Sequence, residues 1–150
     1  MTIYIGADHL GFNLKERLKA ALKNDGYDVV DVGAAQFVLD DDYPDYASAV
    51  AEKVAAAPTE TRGIVLCGSG FGVDIVANKF KGVRAGLAST PDHAYLGRHD
   101  DDINVLALAA DFVDEAAALN IMKVFLTTPF AKEEKYTRRL QKIAKIEAAN

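Results

Sequence analysis

Short apolar segments alternate along this chain with segments whose apolar residues recur at helical spacing. The first apolar segment, TIYIGA (Thr2–Ala7), is rich in β-branched and aromatic residues and is bounded by glycine and aspartate, as a buried strand is. The segment that follows, FNLKERLKAALKNDG, places Leu14, Leu18 and Leu22 on one face, and Gly26 is a helix stop. This alternation restricts the fold most, because nearly continuous apolar strands must be covered on both faces.

Five segments have the character of strands. They are TIYIGA at residues 2–7, YDVVDVG at 27–33, RGIVLCG at 62–68, VRAGLAS at 83–89 and INVLALAA at 103–110. Because helical segments separate them, the sequence predicts an α/β fold, a three-layer αβα sandwich around a five-stranded parallel, Rossmann-like sheet. The length of 150 residues fits one core, so residues 1–150 are expected to form a single domain.

The C-terminal segment, residues 132–150, is predicted to be a protruding, highly charged helix. Its apolar residues, Tyr136, Leu140 and Ile143, make only a narrow stripe. Two interpretations remain open for that stripe: it packs on a partner subunit, or it packs on its own domain.

The charge balance argues against several kinds of partner. The formal net charge is −5 and the isoelectric point about 5.1, so no nucleic-acid-binding surface is expected. No apolar run approaches the ~20 residues that cross a bilayer. The start, MTIYIGADHLG, lacks the basic and long apolar regions of a signal peptide, and a single cysteine cannot form an intrachain disulfide. We therefore expect a cytoplasmic protein that binds no membrane.

Ligands of open parallel sheets bind beyond the carboxyl ends of the strands. Three segments are expected side by side there: ADH after the first strand, CGSGFG after the third, and the residues after the fourth. The glycine-rich segment carries Gly68, Ser69, Gly70 and Gly72, whose backbone can approach a ligand and aim N–H groups at a phosphate, a carboxylate or an oxyanion. The alternative is a tight turn without a ligand. The spacing is GxGxG after the third strand, so a dinucleotide site is only weakly indicated.

The single cysteine, Cys67, stands where the third strand meets this turn. A thiolate there is suited to act as a nucleophile or a base, whereas the alternative is a small buried apolar residue. Asp8 and His9 leave the first strand towards the same crevice, which favours a functional role. Tyr43, in DDDYP, is by itself most simply part of a solvated acidic loop.

Several motifs together resemble the ribose-5-phosphate isomerase B and galactose-6-phosphate isomerase family. They are, in order, GADHLGFNLKERL, GYDVVDVG, DYPDYA, GIVLCGSGFG, ANK, GVRA and NVLAL. The resemblance covers nearly the whole chain without a large gap. It implies an aldose–ketose isomerase that uses neither a metal nor an organic cofactor, and a homodimer or homotetramer with its sites between subunits.

The resemblance also implies a mechanism. Members of the family open the sugar ring and then move a proton between C1 and C2 through a cis-enediolate. A cysteine at the position of Cys67 is the base in many of them, and N–H groups of the turn from Gly68 to Gly72 stabilise the oxyanion. Some relatives use a glutamate just after the last glycine, where this chain has Val73. Asp8, His9 and Tyr43 match substrate-contacting positions.

The sequence departs from the family at the ring-opening histidine. Where relatives read R-E-H-N-D-x-N-V, this chain reads RHDDDINV, so the histidine position falls on Asp100 and His99 lies one residue early. One residue on a helix is a rotation of about 100°. Both Asp100 and His99 are therefore candidates for this acid–base role.

Two further departures concern the phosphate of the substrate. The arginine of the family motif G-G-R-V is replaced by Asp111, and the motif R-H-x-x-R is replaced by KYTRR, with Lys135, Tyr136 and Arg139 at its three named positions. Lys135 and Arg139 lie one helical turn apart and can face one anion, or they are simply a solvated helix face.

The sequence thus predicts a sugar-phosphate isomerase of the ribose 5-phosphate to ribulose 5-phosphate type, as in the pentose phosphate pathway, with Cys67 as its base. The acidic replacements motivate an alternative substrate, a hexose or an unphosphorylated sugar. A second alternative is one subunit of a hetero-oligomeric enzyme of the galactose-6-phosphate type. A nucleotide-binding module retains only the generic fold argument.

Overall fold

A computed structural model describes all 150 residues and contains five strands and six helices. The strands are β1 (Thr2–Ala7), β2 (Asp28–Gly33), β3 (Thr61–Cys67), β4 (Ala85–Leu87) and β5 (Val105–Ala109). The helices are α1 (Phe12–Asn24), α2 (Tyr43–Ala56), α3 (Phe71–Ala77), α4 (Pro91–Asp101), α5 (Glu115–Thr127) and α6 (Glu134–Ala149). The predicted alternation of strands and helices is confirmed.

Local chemistry explains where several helices begin. The Thr90 side chain accepts the N–H of His93 at 3.1 Å, and Pro91 takes the first position of α4, where no N–H is needed. At α5, the carboxylate of Asp114 accepts the N–H of Ala117 at 2.8 Å. These caps fix the entry of the chain into the helices on either side of β5.

The five strands form one parallel sheet in the order β2-β1-β3-β5-β4. The chain moves outwards from β1 to β2 and then returns to the other side of β1 to form β3. The strand order therefore reverses between β1 and β3, and this switch point opens a crevice at the carboxyl edge of the sheet.

Helices cover both faces of the sheet, as predicted. One apolar core joins the sheet to α1, α4 and α5, and its fully buried side chains include Ile5, Leu66 and Phe125. The other joins the sheet to α2 and α3, and Val50 and Val65 lie at its centre. The predicted three-layer αβα architecture is confirmed.

One predicted adjacency is wrong. β5, rather than β4, pairs with β3, because β4 is a three-residue strand at the edge of the sheet. The segment beside the glycine turn is consequently the one that follows β5, where the N–H groups of Ala110 and Asp111 bond to the carbonyls of Cys67 and Gly68 at 2.9 and 3.0 Å.

The C-terminal helix α6 packs on its own chain at both ends. Tyr136 in its first turn is buried, and the Glu147 carboxylate accepts the N–H of Gly82 at 2.9 Å. Between these contacts the helix is open to solvent, with Ile143 45% and Ile146 66% exposed. No helix of the structure is long and apolar enough to cross a membrane.

Candidate active site

The switch point of the sheet brings Asp8 and Cys67 together. Ala7 pairs with Leu66 in the β1–β3 ladder, so each of the two residues follows directly on its neighbouring strand. Asp8 is 3% exposed, and its carboxylate accepts the N–H of Gly11 at 3.0 Å. Burial raises the pKa of Asp8 above its ordinary value, although the Gly11 N–H and the nearby His9 oppose the effect.

Cys67 is the last residue of β3, and its side chain lies against α2 and α3. The residue is 4% exposed, and its sulfur accepts the N–H of Gly70 at 3.2 Å. A backbone donor at this distance stabilises negative charge on the atom that accepts it. The thiol therefore lies at the carboxyl edge of the sheet, with a donor already in place.

The glycine turn leaves no room for side chains. Gly70 has a φ of +76°, and a Cβ atom there would lie 2.5 Å from the Leu87 side chain and 3.2 Å from the backbone of the strand beside it. A Cβ atom on Gly68 would lie 2.6 Å from the carboxylate of Asp111. A Cβ atom on Gly72 would lie 2.6 Å from the Tyr43 ring. Ser69 is exposed between them.

Tyr43 and Asp111 are thus placed at the same turn as Cys67. Tyr43 is the first residue of α2 and 38% exposed, so it lies over the turn rather than in a separate acidic loop. Asp111 is exposed, and its side chain makes no hydrogen bond or ion pair within the chain. A carboxylate without a partner consequently faces the glycine turn.

His9 is held by a residue that the sequence analysis did not single out. The carboxylate of Asp41 accepts the backbone N–H of His9 at 2.7 Å and lies 2.8 Å from the ring nitrogen Nδ1. The bond to Asp41 is the main reason that the pKa of His9 is raised. Asp41 lies in the acidic run DDD, whose composition alone does not tell which carboxylate turns inwards.

The remaining predicted residues form a second group, the α4–α6 cluster, defined as His99, Asp100, Lys135, Tyr136 and Arg139. Nδ1 of His99 lies 2.7 Å from the Asp100 carboxylate, and the His99 ring meets the Tyr136 ring edge-on at 5.7 Å. The cations of Lys135 and Arg139 lie 4.5 and 5.9 Å from the centre of the Tyr136 ring.

Two features of the α4–α6 cluster bear on its chemistry. The hydrogen bond to His99 is the main reason that the pKa of Asp100 is lowered, and Tyr136 and Lys135 add to the effect. Tyr95 also stacks on the His99 ring, with ring centres 5.0 Å apart. The imidazole thus contacts two tyrosine rings, of which the sequence analysis named Tyr136 but not Tyr95.

The two groups of residues do not meet within one chain. No hydrogen bond, ion pair or aromatic contact joins the α4–α6 cluster to the turn around Cys67. His99 lies near the end of α4, just before β5, whereas Cys67 is level with Ala109 at the end of β5. Five residues of extended strand span roughly 17 Å. The structure contains no group of three or more histidine, cysteine, aspartate or glutamate side chains arranged to hold a metal.

Comparison with known proteins gives a consistent result. The model of the ribose/galactose isomerase family matches residues 3–143. The ribose-5-phosphate isomerase B of Mycobacterium tuberculosis is 39% identical over 147 residues, which are 98% of this chain and 90% of that protein. The crystal structure of the Mycoplasma genitalium ribose-5-phosphate isomerase B with bound ribulose-5-phosphate superposes with a TM-score of 0.96 at 39% identity, covering 99% of this chain and 97% of that one.

A eukaryotic relative agrees with the bacterial ones. The type B ribose 5-phosphate isomerase of Trypanosoma cruzi has a TM-score of 0.94 at 38% identity, with both chains covered in full (100%). The enzymes that this chain matches over nearly its whole length are isomerases, and the chain is accordingly an aldose–ketose isomerase. The chain belongs to the ribose/galactose isomerase family.

Proposed function

We propose that this chain interconverts ribose 5-phosphate and ribulose 5-phosphate, with Cys67 as the base that moves the proton. The names of its relatives support the substrate, and the N–H of Gly70 at 3.2 Å from the Cys67 sulfur supports the role of that residue. Val73 is apolar and fully buried, so Cys67 is the candidate base at the end of β3. Residues 1–150 act as one domain, in the cytoplasm.

The proton transfer starts from the open-chain aldose. The Cys67 thiolate takes the proton on C2, the electrons of that C–H bond form the C1–C2 double bond, and the carbonyl electrons move onto O1. N–H groups of the turn from Gly68 to Gly72 receive the negative charge of the cis-enediolate. Return of the proton from sulfur to C1, with transfer of the O2 proton to the O1 anion, gives the ketose and regenerates the thiolate.

We assign ring opening to His99 with Asp100 as its positioning residue. A carboxyl group whose pKa is lowered stays ionised at neutral pH and is a poor proton donor. Asp100 is, however, 2.7 Å from Nδ1 of His99 and can hold the proton there, which leaves Nε2 free to accept one from the sugar hydroxyl. The rings of Tyr95 and Tyr136 pack against the imidazole and help to hold its orientation.

The complete site requires a second copy of the chain. Cys67 lies at the carboxyl edge of the sheet and the α4–α6 cluster near the opposite edge, so the cluster of one protomer must reach the turn of another. Large apolar side chains are exposed around the turn, with Phe71 64% and Phe112 79% exposed, and they are suited to such an interface. Specific activity is therefore expected to fall on dilution in step with dissociation, measured by light scattering.

The observation at Asp111 favours a second candidate, an isomerase of an unphosphorylated sugar. Lys135 and Arg139 flank one ring of α6 and are suited to hold a phosphate, but an unpartnered carboxylate faces the glycine turn. Carboxylates accept hydrogen bonds from sugar hydroxyls and repel phosphate. Substrate preference, measured over phosphorylated and free pentoses and hexoses, separates the two candidates.

The deciding experiment replaces Cys67 by alanine and by serine, the second keeping nearly the same shape. Loss of a general base lowers kcat/KM by about 10²–10⁴-fold. We expect such a loss in both variants, with an unchanged circular dichroism spectrum, for the conversion of ribose 5-phosphate measured by the absorbance of ribulose 5-phosphate. Activity within a few-fold of the wild type would contradict the proposal. An inactive wild type that is rescued by a co-expressed homologous chain would instead indicate a hetero-oligomer.

A further inference from the structure

Two arginines share a single carboxylate at the amino edge of the sheet, and a third arginine lies on the neighbouring strand. Arg84 donates from Nε to the carbonyl of Asp102 and from NH2 to its carboxylate, both at 2.9 Å. Arg98, which is 4% exposed, donates to the other carboxylate oxygen of Asp102 at 2.7 Å and to the carbonyl of Ile103 at 2.5 Å. This network uses both oxygens of Asp102.

The third arginine, Arg62, has no such partner. It is the second residue of β3, and the N–H of the next residue, Gly63, bonds to the carbonyl of Asn104 at 2.9 Å. Asn104 in turn bonds to the backbone of Arg84, so the two arginines lie on either side of it. By strand alternation the Arg62 side chain shares the face of Ile64, on the side of α4 and α5.

The surroundings of Arg62 are electrostatically unfavourable. The side chain is half-buried, and its one hydrogen bond goes to the carbonyl of Thr61 at 2.7 Å, although a guanidinium has five N–H donors. Burial lowers the pKa of Arg62, and the charges of Arg98 and Arg84 add to that effect more than Asp102 opposes it. Most of the N–H donors of this half-buried guanidinium therefore have no partner in the chain and can bind a ligand.

We propose that Arg62 is the ligand-contacting residue of a binding site for a small oxyanion, with inorganic phosphate as its representative. The planar guanidinium offers parallel N–H donors that match two oxygens of such an anion. Arg84 and Arg98 leave a net positive charge beside it, since these two cations share the single carboxylate of Asp102. The proposal is independent of the reaction at Cys67, because none of these arginines bonds to residues of the candidate active site.

The test is calorimetric titration with inorganic phosphate at constant ionic strength, with sodium chloride as the balancing salt. Four proteins are compared: wild type, Arg62→Gln, Arg139→Gln, and Arg17→Gln as a matched control whose side chain is 71% exposed. We expect phosphate to bind the wild type and the Arg17→Gln and Arg139→Gln variants at this site. In Arg62→Gln the dissociation constant for phosphate should rise at least about tenfold, because one charge-assisted contact is lost.

The possible outcomes are distinguishable. If phosphate binding survives Arg62→Gln but is lost in Arg139→Gln, the anion belongs to α6 and the proposal is wrong. Absence of phosphate binding to the wild type would also overturn it. Should Arg62→Gln fold poorly, Arg62→Lys keeps the charge but removes the planar fork, and binding weakened in that variant supports the proposal while unchanged binding contradicts it. Removal of an unpaired charge is expected to leave the melting temperature in chloride unchanged or raised.

Discussion

The stability of the β1–α1 side of the site should depend more on Asp31 than on Lys15, although Lys15 is the buried partner. The ammonium group of Lys15 is fully buried, donates to both carboxylate oxygens of Asp31 at 2.8 Å and also bonds to the carbonyl of Ala34 at 2.5 Å. Lys19 donates to the same carboxylate at 2.5 Å. Asp31 thus has two cationic partners, whereas the only other carboxylate beside Lys15 is that of Glu16, which is farther, at 3.2 Å, and 38% exposed.

The two single replacements leave different defects. Asp31→Asn strips the buried ammonium of its main counter-charge, and breaking a buried pair in this way costs about 3–5 kcal/mol. Lys15→Met fills a similar volume and leaves Asp31 bonded to Lys19, so the main cost is one carbonyl without a donor, about 1–3 kcal/mol. For a chain of this size each kcal/mol lowers the melting temperature by about 2–4 °C. The expected losses are therefore about 6–20 °C and about 2–12 °C.

Urea unfolding followed by far-ultraviolet circular dichroism measures both free energies. Burial raises the pKa of Asp31, but the bonds from Lys15 and Lys19 outweigh it and the pKa is lowered in the folded state. The contribution of the pair is accordingly present above the ordinary carboxylate pKa of about 3.9 and is lost as the pH falls further. A Lys15→Met protein that is as unstable as Asp31→Asn at neutral pH would refute the reasoning.

Three further outcomes are expected. Gly70→Ala forces an L-residue to a φ of +76° at a cost of roughly 1–2 kcal/mol, so both the melting temperature and kcat/KM should fall, and an unchanged kcat/KM would contradict the role of the turn. The raised pKa of His9 means that its pairing with Asp41 is complete below about pH 6.5 and is lost as the pH rises through the folded value; Asp41→Asn should remove this dependence from urea midpoints measured between pH 5 and pH 9. Asp100→Asn should lower kcat about 10²-fold with little change in melting temperature, and full activity would show that His99 needs no positioning.

The strands were predictable because a strand that is buried on both faces is a nearly continuous run of apolar residues. β1 occupies the six predicted residues, because glycine and aspartate mark the end of its apolar run. The order of β4 and β5 was not predictable, because a crossover helix reaches the neighbouring position or the next one with a similar connection. The short β4 at the edge carries too little apolar surface to distinguish the two orders.

The candidate site also has a part that could be predicted from the sequence and a part that could not. The residues that follow β1 and β3 could be placed together from strand ends alone, and the structure puts Asp8 and Cys67 on adjacent strands. The pairing of His99 with Asp100 could not, because the rotation of about 100° between consecutive helical residues argues against a shared location. The side chains are nevertheless long enough to meet across that angle, at 2.7 Å.

The separation of the two groups of residues follows from the order of strands and helices along the chain. In a parallel sheet, a residue that ends one strand and a residue that precedes another lie at opposite edges, whatever the strand order. Cys67 ends β3, and His99 precedes β5, so no rearrangement of loops within one chain can bring the thiol and the imidazole to the same sugar. A mechanism that uses both residues therefore needs two chains. An isolated protomer that carried out the whole isomerisation would have to open the ring with a group at the carboxyl edge, where the histidines are His9, which follows β1, and His93, in the first turn of α4.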